Sequence, residues 1–320
     1  VSDRPSKRTL ALPWSELVLV AGLIIAAIYM NGLSPAFLSF SNFFEITRIS
    51  VETGLAALGM TLVIITGGID LSVGSVLGLS GIVMGILHHM GLEVWLAAAI
   101  AVGTGALCGF INGQLITRAG IPPLIVTLAT LAIFRGLALG ISQARSFGSY
   151  PPEFLALGAG YLGPVPIQLM VFGVLALSVG LLLAKTTLGR FIYAIGNNAM
   201  AARFSGVPVN RVLVLVYTLS GALAGLAGVI FTARVSSARS DAGIGTELDA
   251  ITAVVLGGAS ISGGSGSIVG TLLGLLLVGV VRNGLTLAFI PAEQQAIIIG
   301  SILLVAVLLN QVIRLRSRRN

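Results

Sequence analysis

Nine long stretches of this chain contain no Asp, Glu, Lys or Arg, and they limit its fold more than any motif does: 17–44, 53–69, 71–92, 94–117, 119–134, 154–184, 212–233, 250–281 and 294–313. A helix needs about 20 apolar residues to cross the roughly 30 Å of a bilayer's hydrocarbon, and most of these runs reach that length. Two of them, 154–184 and 250–281, exceed what one span needs, so each is expected to hold a helix plus something else. None alternates apolar and polar residues, which argues against a membrane barrel. Only 9% of residues are charged, 56% are hydrophobic and the mean hydropathy is +1.04, a balance that a soluble domain does not carry. The expected class is all-α and polytopic, with about ten transmembrane helices interrupted by glycine-rich breaks.

Formal net charge is +7, yet the basic residues fall at helix ends and in loops, a topology signal rather than a nucleic-acid footprint. Helices are placed at about 15–33, 48–66, 71–90, 94–117, 122–141, 165–185, 210–232, 249–262, 267–288 and 293–312. With the N-terminus inside, twelve Lys and Arg lie on the inner side against five outside, with Arg135 within a span. Both termini are then cytoplasmic and the number of crossings is even, ten rather than eight. This divides the chain into an N-terminal tail (1–14), a transmembrane domain (15–312) with a cytoplasmic loop at 186–210, and a basic C-terminal tail (313–320). The basic start "RPSKR" precedes an apolar run with no small-residue cleavage site, so that run is expected to be a retained helix. Cys108, the only cysteine, is expected to pack as a small apolar residue. His88, His89 and Glu93 are too few for a metal site and are placed in a solvated outer loop.

The stretch "TGGIDLSVGS" (66–75) interrupts hydrophobic sequence with glycines, hydroxyls and a carboxylate. Gly67 and Gly68 free the backbone from helical geometry, and Asp70 or Ser72 can accept hydrogen bonds from the amides that open the next helix. A carboxylate near membrane depth is either such a cap or a direct participant in transport. The topology puts Asp70 close to the inner surface, within reach of water. An echo follows at "GGASISGGS" (257–265), where Gly257, Gly258 and Ser262 correspond to Gly67, Gly68 and Ser72. Interrupted hydrophobic segments at corresponding positions mark a transporter's pathway. Glycines at small-xxx-small spacing, such as Gly74, Gly78 and Gly81 or Gly221, Gly225 and Gly228, are expected at helix contacts.

The inner loop "TTLGRFIYAIGNNAMAARFSGVPVNRV" (186–212) has a short helix over 197–205, punctuated by Gly196 and Gly206 and stopped by Pro208. Its apolar knobs and Arg203 suit insertion into a partner's groove better than a surface lying on lipid. Together with "ALGMTLVIITGGIDLSVGSV" and "ELDAITAVVLGGASISGGSGSIVGTLLG", the segment "LGRFIYAIGNNAMAARFSGV" resembles the permease subunit of ribose-type ABC importers, the carbohydrate branch related to branched-chain amino acid permeases. The resemblance spans about 35–310 in colinear order. It implies a multi-pass protein of the bacterial inner membrane, paired with a second permease copy or a paralogue. A cytoplasmic ATPase drives such a subunit, and a periplasmic binding protein delivers a monosaccharide such as ribose, rhamnose or xylose. It further implies that Gly189 through Gly206 forms the ATPase-coupling segment, with Gly189, Arg190, Gly196, Asn197, Asn198, Ala201, Ala202, Arg203, Ser205 and Gly206 as its coupling residues. Ala199 departs from the acidic residue that family members often carry, which removes a salt bridge but not the docking.

The chain has no Gly-x-x-x-x-Gly-Lys-Ser/Thr loop, so it is expected to be a transport subunit with no catalytic residues, cofactor or metal of its own, ATP and Mg being bound by the partner. In the outer loop, Asp241, Glu247 and Asp249 either receive the binding protein or cap the helix that follows. Neutral hydrogen-bonding residues suit an uncharged, hydroxyl-rich cargo, and Asn112, Gln114, Thr127, Thr130, Asn283 and Gln294 are candidates for its path or for contacts between helices. The alternative, a carrier driven by an ion gradient, would have only Asp70 and Arg135 as coupling groups.

Overall fold

The computed structural model describes residues 14–317; the tail residues 1–13 and 318–320 lie outside the described residues. The chain runs through α1 (Trp14–Leu33), α2 (Phe40–Ile65), α3 (Val73–His89), α4 (Val94–Arg118), α5 (Pro123–Ser142), α6 (Pro152–Ala159), a hairpin of β1 (Tyr161–Leu162) and β2 (Val165–Pro166), then α7 (Ile167–Lys185), α8 (Thr187–Asn197), α9 (Ala199–Phe204), α10 (Val209–Val235), α11 (Thr246–Leu256), α12 (Ile268–Leu287) and α13 (Ala292–Ser317). Among the described residues, α2, α4, α5, α7, α10 and α12 are long and apolar enough to cross a membrane. Shorter apolar stretches occupy Leu19–Leu33, Val73–His89 and Ala292–Val305, while α11 has eleven residues. The two overlong apolar runs resolve as expected: one holds α6, the hairpin and α7, and the other holds most of α11, a break and α12.

Several boundaries differ from the sequence reading, each for a local reason. α2 starts eight residues earlier than expected because Ser39 caps it, its hydroxyl accepting from the Asn42 amide, and because Glu45 and Arg48 pair at 3.2 Å along its first turns. Arg48 therefore lies about two turns inside the helix and not at its start. α11 stops at Leu256 instead of 262, and α13 continues through residues 313–317, where a tail was expected. Glu93 caps α4, accepting from the Trp95 and Leu96 amides at 2.9 and 2.8 Å. His88 is half-buried and stacked on Tyr150, so it is less solvated than its sequence position suggested.

α2 is the central post: Gly54 to Ile65 are all buried, and it packs against α7, α8, α10, α11 and α12. α5 and α7 expose Leu124, Leu128, Val174 and Leu177, the apolar surface that a lipid-facing helix presents. The tightest seam joins α4 to α10. There a Cβ on Gly105 would meet the Gly221 carbonyl, and a Cβ on Gly221 would meet the Gly105 carbonyl. In lipid no hydrophobic drive brings two helices together, so such close backbone approach supplies the contact energy. Of the glycines singled out for packing, Gly221 and Gly225 serve this seam and Gly228 meets α3, whereas Gly74 and Gly78 admit the loop over 240–243 instead.

Candidate functional site: two broken helices joined to a surface segment

α2 and α11 end in the same backbone device. Gly67 has φ +84° and Gly258 has φ +85°. In the first, the Gly67 amide donates to the Ile64 carbonyl and the Gly68 amide to Val63; in the second, Gly258 donates to Val255 and Ala259 to Val254. These paired bonds satisfy the last carbonyls of each helix and need a left-handed residue that glycine adopts without a Cβ penalty. The structural match is thus Gly67 with Gly258, one residue out of step with the sequence echo that paired Gly67 with Gly257. The two breaks also touch: the Gly264 amide donates to the Ile65 carbonyl at 2.9 Å, and Gly263 lies against Gly67. Ser262 is exposed beside Gly67.

Beyond Gly67 the chain turns back into the bundle, and Asp70 is buried, 1% exposed. It is out of reach of water, where the sequence reading places it within reach. It sits level with Ser220, about 16 Å along α10 at the helical rise per residue. One carboxylate oxygen accepts from the Ser72 amide at 3.0 Å and the Ser72 hydroxyl at 2.6 Å; the other accepts from Ser220 at 3.1 Å. The N-terminus of α3 adds a favourable field. Ser72, although it occupies the N-cap position, caps nothing with its own side chain and donates to Asp70 instead. Asn112 on α4 then donates to Ser72 at 2.9 Å, and Thr127 on α5 donates to the Ile69 carbonyl at 2.9 Å. Three helices thereby pin one break. Asn112 and Thr127, read as cargo-path residues or as contacts between helices, make such contacts in this network. The buried Tyr217 hydroxyl, beside Gly68, has no hydrogen-bond partner among the described residues, nor has the Asn112 carbonyl oxygen.

The surface segment at 186–206 is two helices where one was expected. Thr186 caps α8 through the Gly189 amide, and Asn198 caps α9 through the Ala201 amide, so the chain bends at Asn198. Ile192 and Ile195 anchor α8 in the core, Gly189 packs on the Leu182 and Leu183 carbonyls, and the Tyr193 hydroxyl donates to the Gly266 carbonyl at 2.8 Å. Gly196 does not punctuate a helix end. It lies in the last turn of α8, and a Cβ there would strike the Ile65 carbonyl and the Gly264 amide, one group from each break. Asn197 lies against Gly264. Ala202 faces inward; Arg190, Asn198, Ala201, Arg203, Ser205 and Gly206 are exposed, with Arg203 donating to Asn210 at 3.0 Å. Met200 and Phe204 project, 65% and 86% exposed. Gly206, with φ +83°, does end α9.

At the opposite end of the bundle, the three acidic residues separate. Asp241 is exposed and held by Arg239 at 2.6 Å, and this hydrogen-bonded guanidinium keeps its carboxyl below the usual range. Glu247 turns inward, accepts from the Gly245 amide and lies against Gly74. Asp249 is buried and paired with Arg282 at 3.0 Å, so it presents nothing outward. Both latter residues stand in the first turn of α11, where their charge favours the helix. Arg135 donates to the Ser240 and Ala242 carbonyls at 2.6 Å, fastening α5 to this loop. Of the remaining path candidates, Thr130 bonds its own helix, Gln294 is exposed, Gln114 borders an outward groove beside Arg118, and Asn283 pairs amide to amide with Asn42.

Apolar helices in a bundle, two of them broken at glycine and both breaks abutting one surface segment, are an arrangement that fits a membrane permease. The chain belongs to the permease family of ribose-type ABC importers: the family described as branched-chain amino acid transport system / permease component matches residues 42–307. The ribose import permease protein RbsC of Bacillus subtilis is 44% identical over 91% of this chain and 91% of its own. Its counterpart in Escherichia coli K12 is 40% identical over 91% and 92%. The autoinducer 2 import system permease protein LsrD of Photorhabdus laumondii is 39% identical over 91% and 90%. No solved structure gives a significant match.

Proposed function

We propose that this chain is the membrane-spanning subunit of an ATP-driven importer of a neutral monosaccharide. Its partners in this reading are a cytoplasmic ATPase, a periplasmic binding protein and a second permease copy or paralogue. The chain crosses the bacterial inner membrane ten times with both ends in the cytoplasm, α11 counting as an incomplete crossing. The ATPase binds ATP and Mg, and the permease needs no cofactor. Relatives named for ribose and autoinducer 2 import support a small polyhydroxylated cargo.

The observation that carries this reading is Gly196. Exposed Met200 and Phe204 offer apolar knobs to a partner groove. Eight residues before Phe204, Gly196 rests on both helix breaks without an intervening side chain. Force applied at α9 is then transmitted through backbone contacts to the two places where the bundle is not continuous helix. The ion-gradient alternative loses support because Asp70 is engaged by three protein donors.

The test is uptake by the chain assembled with its ATPase and receptor. Gly196→Val is expected to lower ATP-driven uptake at least about tenfold with normal membrane insertion, since an added side chain overpacks a backbone contact. A cysteine at Phe204, in a Cys108→Ala background, is expected to cross-link to the ATPase. Normal uptake in Gly196→Val together with no cross-link from position 204 would overturn the docking role.

A further inference from the structure

Where α4 ends and α10 begins, the seam between them opens into a groove of about 470 Å³. Helical spacing puts Phe110, Gln114 and Arg118 on one wall, and Arg211, Leu215 and Thr218 on the other. Both arginines stand at one end. Away from them the walls turn apolar: Phe110 and Leu215 are each 42% exposed, and Leu107, a turn beyond Phe110, is exposed as well. From Arg118 to Leu107 is eleven residues, about 16 Å, close to half of a bilayer's roughly 30 Å of hydrocarbon. Leu107 stands between Gly105 and Gly109, at the depth of the tight seam with α10.

The charge at the mouth is unbalanced. Arg118 and Arg211 are exposed, and the ion pairs among the described residues all lie elsewhere. In the sequence, Glu153 is the one acidic residue between 94 and 240, and it stands on α6, which packs at the Arg234 end of α10. Arg203 of α9 donates to Asn210 on the groove wall at 3.0 Å, bringing a further guanidinium to the rim. Pro208 opens α10 without a side-chain cap, so the positive field of that helix end faces the same rim.

We infer that this groove holds an anionic phospholipid of the cytoplasmic leaflet, with its phosphate between Arg118 and Arg211 and an acyl chain along Phe110 and Leu107. The inference rests on the membrane placement in the importer reading, which puts the end of α4 on the inner side. Guanidinium offers paired N–H donors to phosphate oxygens, and basic pockets between membrane helices on the cytoplasmic side suit such headgroups. A cytoplasmic protein could meet the arginines but not the apolar stripe, which runs into membrane depth; a soluble anion would leave that stripe uncovered. Asn210 joins the headgroup site to Arg203, so the lipid stands at the foot of the docking helix.

The experiment uses the full chain alone in phosphatidylcholine vesicles, with Phe110→Trp as reporter in a Trp14→Phe, Trp95→Phe background. The probes are phosphatidylglycerol and phosphatidylcholine brominated on their acyl chains, and quenching of the tryptophan gives their relative affinity for the groove. Phosphatidylglycerol is expected to be preferred at least about tenfold, since each basic residue at a membrane surface contributes about fivefold. Arg118→Gln with Arg211→Gln is expected to abolish the preference, and Arg118→Lys with Arg211→Lys to keep most of it. Val174→Trp, on the exposed face of α7, is expected to report no preference. Equal quenching by the two lipids at position 110, or a preference that survives the paired glutamines, overturns the site. The same preference at position 174 assigns it to the charge of the whole chain and also overturns it. Loss of the preference to excess inorganic phosphate at constant ionic strength makes this a soluble-anion site instead. No lipid preference, together with ATPase binding that the paired glutamines abolish, gives the face to a protein partner. The measurement involves no transport, so a failure of the importer reading would appear as absent uptake by the complete assembly while the lipid preference stands.

Discussion

Asp70 satisfies three donors with one side chain, and its removal leaves each of them buried without an acceptor. Asp70→Ala is expected to destabilise the protein by about 3 kcal/mol or more, because each orphaned buried donor costs about 1–3 kcal/mol. Asp70→Asn, which keeps an accepting oxygen, is expected to lose less; thermal unfolding in detergent gives both values. Asp241 provides the contrast. Arg239 lowers its carboxyl, so the pair's stabilisation is present above the ordinary carboxylate range and is lost as pH falls through the lowered value. Being exposed, such a pair contributes little, and Asp241→Asn is expected to leave the unfolding temperature at neutral pH unchanged. Asp70 itself was legible in the sequence as a carboxylate in the wrong company. Ser220, which completes its site, was not, because that partner is 150 positions away and one serine among many in a helical run.

The breaks show where reading elements from sequence succeeds and where it stops. Uncharged runs located α3, α4, α5, α7, α10 and α12 to within a few residues, since lipid demands both length and apolarity. α8 escaped because Gly196 looked like punctuation; it and Gly189 are there for closeness to other backbone, a property only the folded neighbours reveal. The start of α2 escaped because Glu45 was left outside a helix placed to begin at Arg48, when the two are a helical pair. Two substitutions test the element assignments. Gly105→Val is expected to separate α4 from α10, since its side chain meets the Gly221 carbonyl, and to lower the yield of folded protein on size-exclusion chromatography. Asn198→Ala removes the α9 cap, worth about 1 kcal/mol, and is expected to loosen α9, visible as faster amide exchange over 199–204.

For the molecule as a whole, the proposed ten-crossing arrangement predicts which positions share a compartment. Single cysteines at Ser262 and Phe204 in a Cys108→Ala background are expected to react with an impermeant reagent from one side of sealed vesicles, and one at Asp241 only from the other. Labelling of all three from the same side would remove this topology. α11 is the element on which the arrangement turns. At eleven residues it is about 16 Å long, roughly half of what a bilayer's hydrocarbon requires. Beyond its end, the turns at 66–72 and 257–267 lie one against the other. In the importer proposed above, the seal of the resting protein is therefore two thin plugs of peptide, and a slight parting of them is expected to make the path continuous.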